Sequence, residues 1–156
     1  MQFISNSASE TKNIGSIIAR NLLPGDIICL IGELGSGKTV LAKGIASGLR
    51  MGHKKVISPS FVLIREHRQG RLPMYHFDLY RLNQLNDILS LGYEDYLYAQ
   101  GVSVIEWAQR LEYLFPSQCL KVEFFLKPGK KRVLKFSAKG NRYKKLLEKI
   151  HENIGN

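Results

Sequence analysis

The segment from Gly32 to Thr39 limits what this chain can fold into more than any other feature of its sequence. It reads Gly-Glu-Leu-Gly-Ser-Gly-Lys-Thr and matches the pattern G-x-x-x-x-G-K-[ST] at every position. The β-forming apolar run Ile27–Ile31 comes directly before it and is typical of a strand covered on both faces. A helical pattern of apolar residues follows from Lys38 to Leu49. A buried strand, a glycine-rich loop and a helix in this order predict a phosphate-binding loop.

The residue types within this loop suit a bound phosphate chain. Glycines allow the main chain to approach phosphate oxygens and to turn several N–H groups inward, while the N-terminus of the following helix adds partial positive charge. Lys38 can reach the outer phosphates of a nucleoside triphosphate, and the Thr39 hydroxyl can bind Mg²⁺. The predicted nucleotide contacts in the loop are Glu33, Leu34, Gly35, Ser36, Gly37, Lys38, Thr39 and Val40.

A P-loop enzyme also needs an acidic residue at the end of a second strand, which holds magnesium directly or through water. The apolar strand predicted for Val102–Ile105 ends in Glu106, and the strand predicted for Met74–Leu79 carries Asp78. We favour Glu106, together with Thr39, as the magnesium ligand, and we expect Asp78 to support the site or to position water. Which of the two acids binds the ion directly stays open at this point. The predicted catalytic residues are Lys38, Asp78 and Glu106.

A proline-stiffened loop follows the helix of the phosphate-binding unit. Ser58 and Ser60 flank Pro59, at the position where switch loops of P-loop proteins sense the terminal phosphate. Both serines are therefore predicted to be switch-like residues, and an ordinary surface turn is the alternative.

Strand-like and helical patterns alternate along the rest of the chain, which predicts an α/β fold. Short turns at Gln69-Gly70 and Pro128-Gly129 indicate two hairpins and hence a mixed sheet. We predict one P-loop domain over residues 1–156, with a mixed central β-sheet flanked by helices and with a C-terminal β-hairpin and helix. The predicted strands are Gln2–Ser5, Ile27–Ile31, Phe61–Ile64, Met74–Leu79, Val102–Ile105, Leu120–Leu126 and Arg132–Ser137. The predicted helices are Ser7–Leu23, Lys38–Leu49, Gln84–Leu91, Glu94–Ala99, Ala108–Leu114 and a last helix capped by Asn141 that ends near Ile154.

Composition and cysteine content exclude several other classes of protein. Hydrophobic residues make up 44% and charged residues 23%, an ordinary balance for a globular chain. No stretch approaches the ~20 apolar residues of a membrane span, and the first residues lack the pattern of a secretory signal. Cys29 and Cys119 lie in apolar runs, where buried free thiols are expected rather than a disulfide or a metal site. These features predict a cytoplasmic protein without membrane contact.

Positive charge is concentrated near the C-terminus. The net charge of the whole chain is +10, and residues 120–156 hold eleven Lys and Arg against three Glu. Such a region can bind nucleic acid or an acidic partner, and Phe124, Phe125 and Phe136 lie within it as candidate stacking side chains. We expect RNA contact there only as an addition to nucleotide binding, and a solvated basic face is the alternative.

Five segments taken together resemble a known family, the TsaE-type (formerly YjeE-type) ATPases of bacterial tRNA threonylcarbamoyladenosine biosynthesis. They occur in the family's order, and the His-Phe-Asp-Leu-Tyr-Arg and Ile-Glu-Trp segments are the specific ones because a general P-loop protein does not need them. One departure is Ser60, where the family usually has threonine, although the hydroxyl is retained. The five segments are Gly32–Thr39, Ser58–Phe61, His76–Leu82, Leu91–Tyr96 and Val104–Ala108.

The resemblance implies a fold and a biochemistry. ATP would be bound with Mg²⁺ and hydrolysed slowly, Thr39 and Glu106 would hold the metal ion, and Asp78 and the Ser58–Ser60 loop would be needed for turnover. The implied partners are the TsaB and TsaD proteins, whose complex modifies the adenosine next to the anticodon of tRNA, and the implied role is to reset that complex between cycles. The basic C-terminal region is not a signature of this family, and tRNA or an acidic face of the partner complex would be its candidate contact. The adenine side would be bordered by Ala8, Thr11 and Lys130.

Two other P-loop functions fit the sequence less well. A small-molecule kinase usually carries an arginine-rich lid, whereas arginines are sparse between Arg81 and Arg110. A GTPase needs an Asn-Lys-x-Asp segment to recognise guanine, and the sequence contains none. ATP is therefore the predicted nucleotide.

Overall fold

The structure of the protein is a computed structural model that describes residues 1–52 and 63–154. Seven strands within these residues form one sheet, in the order β1-β7-β6-β2-β5-β4-β3. The strands are β1 Gln2–Ser5, β2 Ile27–Ile31, β3 Ile64–His67, β4 Met74–Asp78, β5 Val102–Glu106, β6 Cys119–Leu126 and β7 Arg132–Lys139. The helices are α1 Ala8–Arg20, α2 Lys38–Gly48, α3 Leu85–Ser90, α4 Tyr93–Leu97 and α5 Asn141–Ile154, and a 3₁₀ segment covers Ala108–Leu114.

The centre of the sheet is parallel and its outer strands are antiparallel to their neighbours. Strand β2 runs parallel to both β5 and β6, and β4 runs parallel to β5. The pairs β3–β4, β6–β7 and β1–β7 are antiparallel. The mixed sheet between helices and the C-terminal hairpin with its following helix confirm the predicted fold class. Because the carboxyl ends of parallel strands meet at one edge, Gly32, Asp78 and Glu106 come together there.

Apolar side chains cover both faces of the sheet. One cluster joins the sheet to α1, α2 and α5, and Ile18 and Leu41 are among its fully buried members. A second cluster joins the sheet to α3, α4 and the 3₁₀ segment, around Phe77 and Ile105. Strand β2 contributes side chains to both clusters, which confirms that it is covered on both faces.

Helix α1 lies directly against α2, and glycines permit this close approach. A Cβ atom at Gly44 would lie 2.1 Å from the main-chain oxygen of Lys12, and one at Gly15 would lie 2.4 Å from that of Leu41. Carbon and oxygen atoms cannot approach so closely, so the two main chains can meet only where no side chain intervenes. Since α2 begins where the phosphate-binding loop ends, this contact fixes the loop relative to the rest of the fold.

Most predicted elements are present, with boundaries shifted by a few residues. Helix α1 begins at Ala8 because Ser7 is its N-cap, and the Ser7 hydroxyl oxygen accepts a hydrogen bond from the Glu10 N–H at 3.1 Å. The same helix ends at Arg20 rather than at Leu23. Half of the strand predicted for 61–64 lies outside the described residues, and the described strand β3 is Ile64–His67, so the strand extends three residues further than predicted.

Two predictions for helices in the C-terminal half of the chain need correction. The prediction that Asn141 caps the last helix is wrong, because α5 begins at Asn141 itself. The Gly140 main-chain oxygen accepts the first hydrogen bonds of that helix, from the N–H groups of residues 143 and 144 at 3.2 Å each. The predicted helix Ala108–Leu114 is a 3₁₀ segment interrupted at Glu112, where φ is 49° and ψ is −118°.

Both cysteines are buried in strands and are free, as the sequence predicts. Cys29 lies in β2 and Cys119 lies in β6. Burial raises the pKa of the Cys29 thiol well above its usual value, which keeps it protonated and unreactive at neutral pH. Among the helices of the described residues, none has the length and apolar character that a membrane crossing requires.

The close contact between α1 and α2 predicts the effect of adding one methyl group. We expect Gly44→Ala to lower the free energy of unfolding by about 3 kcal/mol, because the new Cβ would collide with the main chain of α1 rather than with a movable side chain. Urea unfolding followed by circular dichroism measures this loss. Gly52→Ala is the control, since its Cβ would meet no atom of the described residues within 4 Å. Equal stability of the two variants would contradict the packing described here.

Candidate functional site

The phosphate-binding loop closes around its own lysine. The Lys38 ammonium donates to the main-chain oxygens of Gly32 at 2.8 Å and Glu33 at 2.7 Å, and to the Ser36 hydroxyl at 3.4 Å. Lys38 is only 3% exposed. At Gly37, the residue before α2, φ is +109°, a conformation that a residue with a side chain rarely adopts. The loop sequence is thus explained by a tight left-handed turn that leads into a helix.

The ring of Trp107 covers the Lys38 ammonium on its other side. The Nζ atom of Lys38 lies 4.2 Å from the centroid of the indole ring, which is a cation–π contact. Burial lowers the pKa of Lys38, and the nearby carboxylates of Glu106 and Asp78 oppose this effect. Trp107 itself packs against Tyr80, with ring centroids 5.0 Å apart. The lysine that the motif predicts for phosphate binding therefore lies at the centre of the site.

Glu106 is the buried acid of the site and has two different partners. Its Oε2 atom accepts a hydrogen bond from the Thr39 hydroxyl at 2.8 Å, and its Oε1 atom lies 2.7 Å from Nε2 of His76. Glu106 is 2% exposed and His76 is 0% exposed. Asp78 lies directly opposite Glu106 in the parallel ladder of β4 and β5, is buried, and accepts a hydrogen bond from the Tyr80 N–H at 3.0 Å. Both predicted acids are therefore brought to the loop, and Glu106 contacts Thr39.

A cleft of about 360 Å³ opens at this point and contains most of the predicted residues. It lies between the phosphate-binding loop and the ends of β4 and β5. A second cleft, of about 750 Å³, adjoins it and includes the predicted loop residues Glu33 and Ser36. The residues of the first cleft are Leu34, Gly35, Gly37, Lys38, Thr39, Val40, Asp78, Tyr80, Arg81, Glu106 and Trp107.

The oxygen atoms in this cleft suit a magnesium ion that arrives with a nucleotide. A hydroxyl and a carboxylate oxygen of Thr39 and Glu106 lie 2.8 Å apart, and the Asp78 carboxylate lines the same cleft. Mg²⁺ prefers oxygen ligands and is usually held by one or two protein groups together with water and substrate phosphates. Within the described residues no cluster of three or more His, Cys, Asp or Glu could hold a metal ion alone. The donor set therefore fits Mg²⁺ shared with phosphate oxygens.

The residues expected near adenine have different surroundings. Thr11 is buried, and its hydroxyl lies 2.8 Å from the hydroxyl of Ser5 and 3.1 Å from a guanidinium nitrogen of Arg132. Ala8 is exposed at the start of α1. Lys130 is exposed in the hairpin turn, with φ of 63°. The structure thus brings Thr11 towards the loop and leaves the other two at the surface.

Arg132 is a functional candidate that sequence reasoning missed. Its guanidinium group packs against the main chain of Gly37, since a Cβ atom there would lie 3.3–3.4 Å from three Arg132 atoms. Among the described residues its buried Nε atom has no hydrogen-bond partner. The position of Arg132 depends on the pairing of β7 with β1, where it lies opposite Ser5. No local motif signals that pairing, and the resemblance to the family pointed only to the hairpin tip near Lys130.

His76 is the second missed residue. It belongs to the His-Phe-Asp-Leu-Tyr-Arg segment, but sequence reasoning gave it no role. Strand alternation places His76 and Asp78 on the same face of β4, and this signal would have found it. The predicted switch-like residues Ser58 and Ser60 lie outside the described residues, so their role stays a prediction.

The strand, the left-handed loop and the helix that follows it define the class of this chain, which is a P-loop protein with an α/β fold. Its family is equally plain. The family model for the threonylcarbamoyl adenosine biosynthesis protein TsaE matches residues 5–134, and the chain belongs to the TsaE family.

Individual relatives agree with this assignment and confirm the resemblance noted in the sequence. The tRNA threonylcarbamoyladenosine biosynthesis protein TsaE of Bacillus subtilis is 40% identical over 149 residues, which are 94% of this chain and 92% of the relative. The protein of the same name from Treponema pallidum is 37% identical over 122 residues, 78% of this chain and 89% of the relative. A crystal structure of Bacillus subtilis YdiB matches with a TM-score of 0.87 at 34% identity, covering 99% of this chain and 95% of that one.

The contact between Lys38 and Trp107 predicts an optical signal. Trp107 is the one tryptophan of the chain, and a bound diphosphate would draw the Lys38 ammonium off its ring. We expect tryptophan emission to change as ADP is added, and Lys38→Ala to show no such change at the same ADP concentrations. A fluorescence titration measures both. Constant emission from wild-type protein that calorimetry finds saturated with ADP would rule out this contact.

Proposed function

We propose that this protein binds ATP and ADP with Mg²⁺ in the cleft beside the phosphate-binding loop, and that it hydrolyses ATP slowly. The observation that supports this best is the meeting of the buried Lys38 and Glu106 with Thr39 at the ends of β2 and β5, where the Thr39 hydroxyl donates to Glu106. A phosphate chain, a metal ion and a carboxylate are the components that a P-loop ATPase brings together. Membership in the TsaE family supports the same reading.

Each residue of the site has a distinct task in this proposal. The loop N–H groups and Lys38 bind the phosphates and stabilise the charge that moves towards the leaving oxygen. Thr39 and Glu106 hold Mg²⁺, which when bound neutralises charge on the phosphate oxygens. Asp78, buried beside Glu106 in the ladder, orients the attacking water. These tasks require binding and orientation and no covalent intermediate.

The base and sugar of the nucleotide would lie on the α1 side of the loop. Thr11 is linked there to Arg132, and the Arg132 guanidinium adjoins the last turn of the loop at Gly37. Ala8 and Lys130 would border the adenine from the surface. Arg132, which was not expected from the sequence, adds a positive charge next to the phosphates. The absence of a guanine-recognition segment supports ATP as the nucleotide.

In the cell, the protein would act in the cytoplasm with TsaB- and TsaD-type proteins on tRNA. The family and its relatives carry the name of tRNA threonylcarbamoyladenosine biosynthesis, and the site described here is built for nucleotide chemistry. We therefore assign to this protein the resetting of the modifying complex between cycles by ATP hydrolysis, and not the transfer of the threonylcarbamoyl group.

The basic C-terminal region would supply a tRNA contact. Lysines are exposed at the hairpin turn and along α5. Phe124 and Phe136 are buried, which corrects the expectation that they offer stacking surfaces, whereas Phe125 is 47% exposed. The contact would therefore be mainly electrostatic. The lysines are Lys127, Lys130 and Lys131 at the turn and Lys144, Lys145 and Lys149 on α5.

A reconstituted reaction tests the proposed role. We expect repeated rounds of tRNA modification by the TsaB- and TsaD-type partners to require this protein and ATP. Glu106→Ala should support at most one round per complex, because nucleotide would bind but not turn over. Counting modified tRNA per complex over time measures this. Full multiple turnover with Glu106→Ala, or without the protein, would refute the resetting role.

The tRNA contact has a separate test. We expect the protein to shift tRNA in a low-salt gel assay, and the apparent affinity to fall steeply as salt is raised. Changing Lys127, Lys130 and Lys131 to Gln should weaken binding, while the matched triple change of Lys144, Lys145 and Lys149 tells whether the hairpin or α5 carries the contact. No shift of tRNA by wild-type protein at low salt would remove the proposal.

A further inference from the structure

His76 has no assigned task in the chemistry described above, although it touches the central acid of the site. Its imidazole is 0% exposed, and its Nε2 atom lies 2.7 Å from Oε1 of Glu106. We propose that His76 is a positioning residue that holds the Glu106 carboxylate in its metal-binding orientation. This inference rests on the proposed function, in which Glu106 is a magnesium ligand.

The two carboxylate oxygen atoms of Glu106 have different hydrogen-bond partners. An ionised carboxylate can only accept, so Nε2 of His76 carries the proton of this hydrogen bond and donates to Oε1. The other oxygen, Oε2, faces the Thr39 hydroxyl at 2.8 Å. His76 thereby fixes the rotation of the carboxylate, and Oε2 is directed to the point that a metal ion bound by Thr39 would share.

The register of the sheet explains why a histidine can do this. His76 pairs with Val104 across the β4–β5 ladder, and Glu106 lies two residues further along the same face. The imidazole therefore reaches diagonally from the middle of β4 to the end of β5. A shorter side chain at position 76 would not span this distance, and an apolar one would leave Oε1 without a donor.

The burial of His76 is costly unless the contact with Glu106 compensates for it. Among the described residues, Nδ1 of His76 is a buried atom without a hydrogen-bond partner. Met74, on the same face of β4, is apolar and fully buried, so an apolar side chain at position 76 would fill the space but would give Glu106 no donor. The unsatisfied Nδ1 atom therefore calls for an explanation, and the hydrogen bond of Nε2 to Glu106 provides one. The one described partner of the imidazole is Glu106.

Residues that orient a metal ligand typically change metal affinity by about 10- to 100-fold when they are replaced. We expect His76→Leu to weaken the binding of Mg²⁺ to the ADP complex by about that factor. ADP binding in the absence of metal should stay within about twofold of wild type, because His76 does not line the cleft that contains the phosphate loop.

The test compares two amide replacements. The amide nitrogen of Gln can occupy the place of Nε2, whereas that of Asn reaches only the place of Nδ1. Calorimetry would measure ADP binding in EDTA and in Mg²⁺, and electron paramagnetic resonance of Mn²⁺ with ADP would measure ion affinity directly. We expect His76→Gln to restore ion affinity to within a few-fold of wild type and His76→Asn to resemble His76→Leu. The control is His67→Leu, which removes a histidine from the neighbouring strand β3 and should leave ion affinity unchanged.

Several outcomes would overturn the inference. Wild-type ion affinity in the Leu and Asn variants would do so, as would an equal loss of metal-free ADP binding in the Leu, Asn and Gln variants, since that pattern indicates a purely structural role. If His76→Leu does not fold, the comparison of Gln with Asn decides. If wild-type protein binds ADP neither with nor without metal, the proposed function fails and this inference fails with it. If wild type binds Mg²⁺ and ADP and only the difference between variants is missing, the proposed function stands and the inference alone is refuted.

Discussion

Two charged side chains, the Lys38 ammonium and the Glu106 carboxylate, lie almost completely inside this protein, at 3% and 2% exposure. A buried charge is strongly destabilising unless it is paired or hydrogen-bonded. The local structure meets this constraint on both sides: main-chain oxygens of the loop accept from Lys38, while Thr39 and His76 donate to Glu106. The parallel centre of the sheet makes this arrangement possible, because it ends β2 and β5 side by side. The loop, the strand ends and the buried polar groups together stabilise these two buried charges.

Family membership and site geometry separately support the proposed binding of a nucleotide. The family model covers residues 5–134, and relatives from distant bacteria share about the same length of chain. Independently, the cleft at the ends of β4 and β5 combines a phosphate loop with oxygen donors suited to magnesium. The helices α1 and α2 support the loop through a contact between main chains, so the parts that would bind phosphate rest on a closely packed pair of helices.

Much of this could be predicted because the signals are local. The phosphate loop is eight consecutive residues, and Glu106 follows an apolar run of the kind that marks a buried strand. The contacts that escaped are distant in sequence: Thr11 meets Arg132 across 121 positions, and His76 meets Glu106 across 30. The place of Arg132 depends on the pairing of β7 with β1 near the other end of the chain, so no local pattern could prefer Arg132 to Lys130. The cap of α5 was predicted wrongly because Gly140 caps the helix through its main-chain oxygen, whereas side-chain preferences favoured Asn141.

The hydrogen bonds that Lys38 makes to its own loop have one more consequence. They occupy the ammonium with internal acceptors, so the loop competes with any incoming phosphate for its own strongest donor. Hydrogen bonds to a charged group contribute about 1.5–3 kcal/mol each, and this amount is subtracted from the gross attraction for the ligand. A protein built in this way would bind the phosphates of the proposed nucleotide less tightly than one whose lysine had no internal acceptors.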